Sequence, residues 1–318
     1  MLFLFIQCII KKSTAPHLSG TMSLTFQFIQ ISGLFTKMNL KKPEWLKKKY
    51  KIEELREVKK LLKKSSLHTI CEESRCPNIC ECFSKKQATF LIMGNICTRL
   101  CSFCNVTKGK PLSLDPDEPE RVAEAVYEMN LRHVVITSPT RDDLEDGGAL
   151  HFKKTVEAVR KKNPITTIEL LIPDFQGNTE SLKTVLESTP DILGHNIETV
   201  PSLYQIRKGS DYNRSLKIFQ FAFPYSKKIK LKSGLMLGLG ENQNEVIQVL
   251  KDLFENGCRF LSIGQYLAPS KAHYPVKEYI NPEIFDFYKK EALKIGFEYV
   301  ESSPFVRSSY HADEYLKS

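Results

Sequence analysis

The stretch Asn95–Cys104, "NICTRLCSFC", sets Cys97, Cys101 and Cys104 at gaps of three and then two residues, directly after an apolar run, "ATFLIMG" (88–94). Just upstream, "CEESRCPNICEC" supplies Cys71, Cys76 and Cys82 at gaps of four and five. Four thiolates, usually in paired C-x2-C units, close a structural zinc site. Neither triplet has that form. Three thiolates can hold three irons of a four-iron, four-sulfur cube and leave the fourth iron open to a non-protein ligand or an unusual side chain. An open iron is a reactive site, so triplets fit chemistry better than architecture.

The rest of the chain is consistent with an ordinary globular protein. Its 318 residues are 42% hydrophobic and 26% charged, which excludes disorder and suits one barrel-type domain with appendages. Nine cysteines in so long a chain, most of them clustered, read as metal ligands in a reducing compartment rather than as disulfides. The opening "MLFLFIQCII" is too short to span a bilayer, lacks the basic start of a secretory signal, and precedes a segment whose first arginine is Arg56. Residues 1–37 are therefore expected to be a dispensable extension, with Met38 as the working start and an interfacial anchor as the alternative.

Charge is local. The net charge is +9, and residues 41–64 alone hold eleven Lys or Arg against four Glu. Such a segment points to docking against something acidic. A nucleic-acid surface would spread its basic residues over a face with aromatics between them. The plain alternative is a solvated helix face.

From residue 88 on, β-branched and apolar runs alternate with amphipathic stretches. Strands are predicted at 88–94, 133–138, 167–173, 191–197, 229–237 and 260–266, with helix starts at Asp117-Glu118-Pro119 and Asn281-Pro282. Six β-α units in series predict a partial (β/α)6 TIM-type barrel. Chemistry then belongs at the C-terminal strand ends, where the sequence has Cys97, Ser138, Asp174, Asn196 with Glu198, Glu241 and Gln265. Singly, each would be a turn or cap residue; their recurrence at equivalent ends marks a site. His133 and His195 read as satisfied core or loop histidines, and Gly147 with Gly148 as a tight turn after the second strand.

The C-x3-C-x2-C spacing, with Phe103 before the last cysteine, resembles the radical S-adenosylmethionine superfamily. "CEESRCPNICEC", "TSPTRDDLEDGGA", "IELLIPDFQG", "GHNIETV", "KSGLMLGLGE", "QYLAPSKAHYPV" and "RSSYHA", in that order from about residue 40 to the end, are similar to the lipoyl synthase family. The resemblance implies that Cys97, Cys101 and Cys104 hold the cluster that binds S-adenosylmethionine and yields a 5′-deoxyadenosyl radical, with Phe103 beside the adenine. It implies a second four-iron cluster, on Cys71, Cys76 and Cys82, as sulfur donor. It implies, too, that a serine of the C-terminal motif completes the second cluster, with Ser309 preferred over Ser308. For S-adenosylmethionine, the resemblance and strand-end positions together nominate Ser138, Asn196, Glu198 and the Gly238–Glu241 backbone. Cys80 departs from the family pattern, so counting alone leaves Cys71, Cys76 and Cys80 as another set. Cys258 reads as a small buried hydrophobe.

The resemblance further implies a cytoplasmic sulfurtransferase acting on octanoylated lipoyl carrier domains, of the 2-oxoacid dehydrogenase E2 or glycine cleavage H protein type. A ferredoxin or flavodoxin would supply electrons; neither nucleic acid nor a membrane span is expected. The expected layout is an extension (1–37), a basic helical segment with the auxiliary motif (38–87), the radical barrel (88–280) and a C-terminal helix and tail closing on the auxiliary cluster (281–318). A tRNA-modifying methylthiotransferase would need widely spaced auxiliary cysteines and a domain after the barrel. A nucleic-acid-binding iron or zinc module would need no radical motif.

Overall fold

The computed structural model describes residues 41–48, 56–85, 87–310 and 312. The extension 1–37 and residues 49–55 of the basic segment lie outside them. After α1 (Arg56–Lys64), which buries Val58 and Leu62, come β1 (His68–Thr69), α2 (Ile70–Glu73) and α3 (Ile79–Ser84); Cys71 is on α2, Cys82 on α3 and Cys76 in the turn between them. The barrel begins at β2 (Thr89–Leu91). The small pair β3 (Ile96–Cys97) and β4 (Thr107–Lys108) flanks the second triplet.

The helical and strand repeat follows: α4 (Glu118–Glu128), β5 (His133–Thr137), α5 (Ala149–Lys162), β6 (Thr167–Leu171), α6 (Thr179–Glu187), β7 (Ile192–Gly194), α7 (Tyr212–Ala222), β8 (Lys230–Leu237), α8 (Gln243–Glu255), β9 (Phe260–Gln265), α9 (Pro282–Ile295) and β10 (Tyr299–Ser302). Each of the six predicted strands contains an observed one. Asn281 caps α9 through its side chain onto the Glu283 amide, and Asn242 with Glu245 forms a reciprocal capping box on α8.

The sheet runs β1-β2-β5-β6-β7-β8-β9-β10, with every neighbouring pair parallel except β1 against β2. Among the described residues the end strands β1 and β10 do not pair, so the barrel is partial. Helices cover its outer face through one continuous core that includes Val126, Phe152, Val185, Leu250 and Phe285. A seventh parallel strand, β10, was not anticipated: "YVES" has no apolar run and buries alternate residues only.

The chain returns after β10 into the inner face of the sheet. Two glycines make room for it. A Cβ on Gly264 would lie 2.1 Å from the Val306 carbonyl oxygen, and one on Gly234 would lie 2.6 Å from Asn196 Oδ1 and 2.9 Å from Ser308 Oγ. The tail is therefore packed as an internal strap, and it carries Arg307, Ser308 and Ser309 into the barrel.

Candidate active site

At the C-terminal strand ends, the loop after β3 carries the radical motif. The Arg99 and Thr140 amides both point at Cys97 Sγ, at 3.4 and 3.3 Å, and Thr98 is tied to the Thr140 carbonyl from its amide and its hydroxyl. Burial pushes the Cys101 thiol up to about 11 and raises Cys104, each further opposed by its neighbouring cysteines. Thiols held protonated in this way release their protons when metal binds.

Arg99, inside the motif, anchors this loop. Its guanidinium forks onto Asp142 at 2.7 and 2.9 Å and reaches Asp174 at 2.6 Å; Arg214 holds the other Asp174 oxygen at 2.7 Å. Burial, the largest single influence, would raise Asp174, but Arg99, His195 and Arg214 together outweigh it and hold the carboxyl at about 2. Replacing Arg99 by Met would leave Asp174, whose side chain is fully buried, with one cation. We expect a loss of about 3 kcal/mol by urea unfolding, the lower end for a broken buried pair. Because Asp174 is depressed, the stability its ionisation contributes is present above the unfolded carboxyl range and is lost as pH falls towards 2. The parent's stability should therefore drop more steeply in acid than the variant's.

The strand-end candidates differ in what they can offer a ligand. Ser138 Oγ is buried without a hydrogen-bond partner, an open polar atom at the mouth of β5. Glu198 takes a left-handed backbone (φ 67°) uncommon for a non-glycine residue. Burial raises its carboxyl, offset in part by Arg207 and by Asn196 Nδ2, which donates to it at 3.1 Å. Phe103 packs against the cluster of Ile206, Leu239 and Tyr266. Glu241 is turned into its own loop, where it accepts from the Gly238 and Leu239 amides. Gly238 (φ 94°) has no space for a Cβ, which would sit 2.2 Å from Gln265 Nε2. Gln265 pins that loop by bonding the carbonyls of Leu237, Tyr266 and Glu278 and the Ile280 amide. Gly148 (φ 90°) opens α5 with Met93 against it, and the Gly147–Gly148 turn is as expected.

The first triplet lies in a second cleft, against the inner face of the sheet. Cys71, Cys76, Cys82, Thr89, His133, Arg307, Ser309 and Tyr310 are among its lining, around about 510 Å³ of space partly open to solvent. Burial pushes Cys71 and Cys82 up to about 12, with the neighbouring cysteines adding to it. Cys80 is buried but outside this lining. The serines face different ways: Ser309 Oγ accepts from Thr89 Oγ1 at 2.8 Å, whereas Ser308 Oγ accepts from Asn196 Nδ2 at 2.6 Å.

Arg307 and Lys48 are the cations here, and both lower the Cys76 thiol against the larger effect of burial. Lys48 is held by Asn78 and Glu81 at 2.7 and 2.8 Å. Among the described residues no carboxylate pairs with Arg307. A charge buried without a counter-ion is costly, so three thiols, a hydroxyl and an unpaired guanidinium form a donor set that fits an anionic iron–sulfur group. Among the described residues no three His, Cys, Asp or Glu side chains gather to hold one metal ion; a four-iron cube asks for one thiolate per iron instead. Arg307 stood within a motif quoted above; Lys48 and Arg207 carried no local signal.

Comparison with known proteins bears on the family and the fold. The radical SAM superfamily profile matches residues 91–253. A lipoyl synthase of Geotalea uraniireducens is 59% identical over 275 residues, 86% of this chain and 97% of the relative. The chain belongs to the lipoyl synthase family. Family members from Geobacter metallireducens (58%, 87% of this chain and 98% of that one) and Caldicellulosiruptor saccharolyticus (55%, 88% and 99%) match equally fully. Among solved structures, Streptococcus suis SuiB bound to S-adenosylmethionine gives a TM-score of 0.54 at 12% identity, covering 70% of this chain and 53% of that one. HydG, a maturase of FeFe-hydrogenase, gives 0.50 at 13%, covering 81% and 76%. At these identities the likeness is one of fold. Membership of the lipoyl synthase family carries two four-iron clusters and S-adenosylmethionine as cofactors. Among the described residues no helix is long and apolar enough to cross a membrane.

Proposed function

We propose that this chain is a sulfur-inserting lipoyl synthase that replaces one hydrogen at C6 and one at C8 of a protein-bound octanoyl-lysine with sulfur. One observation carries the reading: the strap after β10 brings Ser309 into the cleft of Cys71, Cys76 and Cys82, while the adjacent Ser308 bonds Asn196 at the strand-end site. Two sites thus meet across one residue of tail, as a substrate carbon passing from hydrogen removal to sulfur capture requires. When bound, S-adenosylmethionine with its cluster supplies the hydrogen-abstracting radical, and the auxiliary cluster supplies sulfur.

In this reading Cys97, Cys101 and Cys104 hold the radical cluster, and Cys71, Cys76, Cys82 and Ser309 the auxiliary one. Phe103 lies beside the adenine. Ser138, Asn196, Glu198 and the Gly238 backbone receive the remainder of S-adenosylmethionine, and Glu241 shapes the loop that presents Gly238. Arg307 offsets the negative charge of the auxiliary donor set. Residues 38–87 and 281–318 build the auxiliary site around the barrel of 88–280. Anaerobic protein should convert an octanoyl-lysyl peptide to a dithiol product with two S-adenosylmethionine molecules cleaved; cleavage with no sulfur in the peptide would refute the assignment.

The carriers are lipoyl domains of E2 or H-protein type, the reductant a ferredoxin or flavodoxin, and the compartment the cytoplasm. Part of the basic segment is already paired: Lys48 serves the auxiliary site, while the exposed Lys59 and Lys64 approach Glu72 and Glu128 at 3.6 Å. Arg56, Lys60 and Lys63 are exposed on α1 and remain for an acidic carrier. Reversing these three to Glu should weaken carrier binding by about tenfold at low salt, less as salt rises, with activity on a short peptide nearly intact. Equal carrier affinity would return the helix to a solvated face.

A further inference from the structure

Among the described residues the Ser309 hydroxyl has one hydrogen-bond partner, Thr89 Oγ1 at 2.8 Å. One neutral bond does not fix a length of chain against its conformational entropy. The strap is fixed instead on either side of Ser309, and by the same helix that carries Cys82. Upstream, Asn78 Nδ2 at the start of α3 donates to the Phe305 carbonyl at 2.7 Å; downstream, the Tyr310 hydroxyl donates to Glu81 Oε1, on α3, at 3.0 Å. Lys48 closes the arrangement. Its ammonium donates to Asn78 Oδ1 at 2.7 Å and to Glu81 Oε2 at 2.8 Å, and it stands over the rings of Phe305 and Tyr310, 4.5 and 5.6 Å from their centroids. The fully buried Leu46, in the short 3-10 turn Glu44–Leu46, anchors the segment that carries it.

Three segments far apart in sequence therefore meet on one ammonium, and two of the bonds are charge-assisted, the stronger kind. Burial would raise the Glu81 carboxyl, but the bonds from Lys48 and Tyr310, with the charges of Lys48 and Lys85, outweigh it and hold it below the usual carboxylate range. Burial and then Glu81 push the Tyr310 hydroxyl up, so it stays a donor. We propose that Lys48, with Asn78 and Glu81, is a positioning latch for the strap: it keeps Ser309 facing the three cysteines, so that radicals made at the strand-end site end in sulfur insertion rather than in S-adenosylmethionine cleavage without product. This rests on the assignment of Ser309 to the auxiliary cluster made above. The latch makes no bond to iron and acts through the strap. A lysine serving the cleft by its charge alone would need neither the Asn78 bond to the strap nor the Tyr310 bond to Glu81.

The test compares the parent with Lys48→Met and Tyr310→Phe, each as the full chain reconstituted anaerobically with iron and sulfide. Tyr310→Phe deletes the oxygen that reaches Glu81 and keeps both the ring and the Lys48 charge. In both variants amide hydrogen exchange over residues 306–310 should quicken by about tenfold, the scale of one charge-assisted hydrogen bond, while β5 and β6 keep the parent's rates. S-adenosylmethionine cleavage should stay within about twofold of the parent, and dithiol formed per S-adenosylmethionine cleaved should fall by about tenfold. Lys48→Met protein with the parent's exchange rates and product ratio overturns the latch. So does Tyr310→Phe protein with the parent's ratio beside a poor Lys48→Met, a result that leaves Lys48 acting by charge alone. Should Lys48→Met not fold, Tyr310→Phe decides alone. A parent that holds only about four irons and forms no dithiol would refute the auxiliary assignment and this inference with it.

Discussion

A chain with Cys97, Cys101 and Cys104 all changed to alanine is expected to hold about four irons, half of the parent's roughly eight, and to cleave no S-adenosylmethionine. The separation of the two sites is what makes the loss clean. The radical triplet runs from the end of β3 into the loop after it, tied to the strand-end network of Arg99, Asp142 and Asp174, and the auxiliary triplet spans α2, the turn after it and α3, under the strap. None of Cys97, Cys101 and Cys104 lines the auxiliary cleft, so the auxiliary iron should survive with its spectrum intact. Cleavage should vanish outright rather than decline, because an open iron is needed to chelate the amino-acid end of the cosubstrate and no other three-thiol set adjoins Ser138, Asn196 and Glu198. Parent protein holding one zinc and little iron, or a triple variant that still cleaves S-adenosylmethionine, would end the radical assignment.

What the sequence discloses is what it encodes locally. The six barrel strands were legible because strands covered on both faces carry apolar runs; β5, with Val134, Val135 and Ile136 buried in succession, is the clearest case. β10 was not, because one of its faces meets the strap rather than a helix and it keeps Glu301 there. The cysteine triplets were legible because their ligands come from one short segment each. Ser309 was reached through resemblance, since Thr89 and the three cysteines of its cleft are more than two hundred residues away. The choice between Ser308 and Ser309 needed the register of the strap, which puts one on Asn196 and the other on Thr89. The same limit applies to Arg207, which bonds the Ile197 carbonyl and Ser215 Oγ as well as its near neighbour Tyr204.

Changing Ser309 to alanine should leave S-adenosylmethionine cleavage within about twofold of the parent while lowering sulfur insertion by at least about 100-fold, the scale on which loss of a directly participating group is felt. The first half follows from the strap's geometry. Ser309 touches Thr89 and the cysteine cleft, while the contact with the strand-end site is made by Ser308, which the variant keeps. The second half follows from ligand chemistry. A serine oxygen is a hard and less usual donor for iron among thiolates, so the iron it holds is the one most readily released when sulfur is given up. Alanine removes that ligand and supplies no oxygen donor in its place. Ser309→Cys separates binding from release. A thiolate should hold the iron at least as well, so iron content should equal the parent's, yet product should still form slowly because the iron is released more reluctantly. Ser308→Ala is the complementary control: it should weaken the Asn196 contact and leave insertion far less affected than Ser309→Ala. A Ser309→Ala enzyme that forms dithiol product at the parent rate would remove Ser309 from the chemistry.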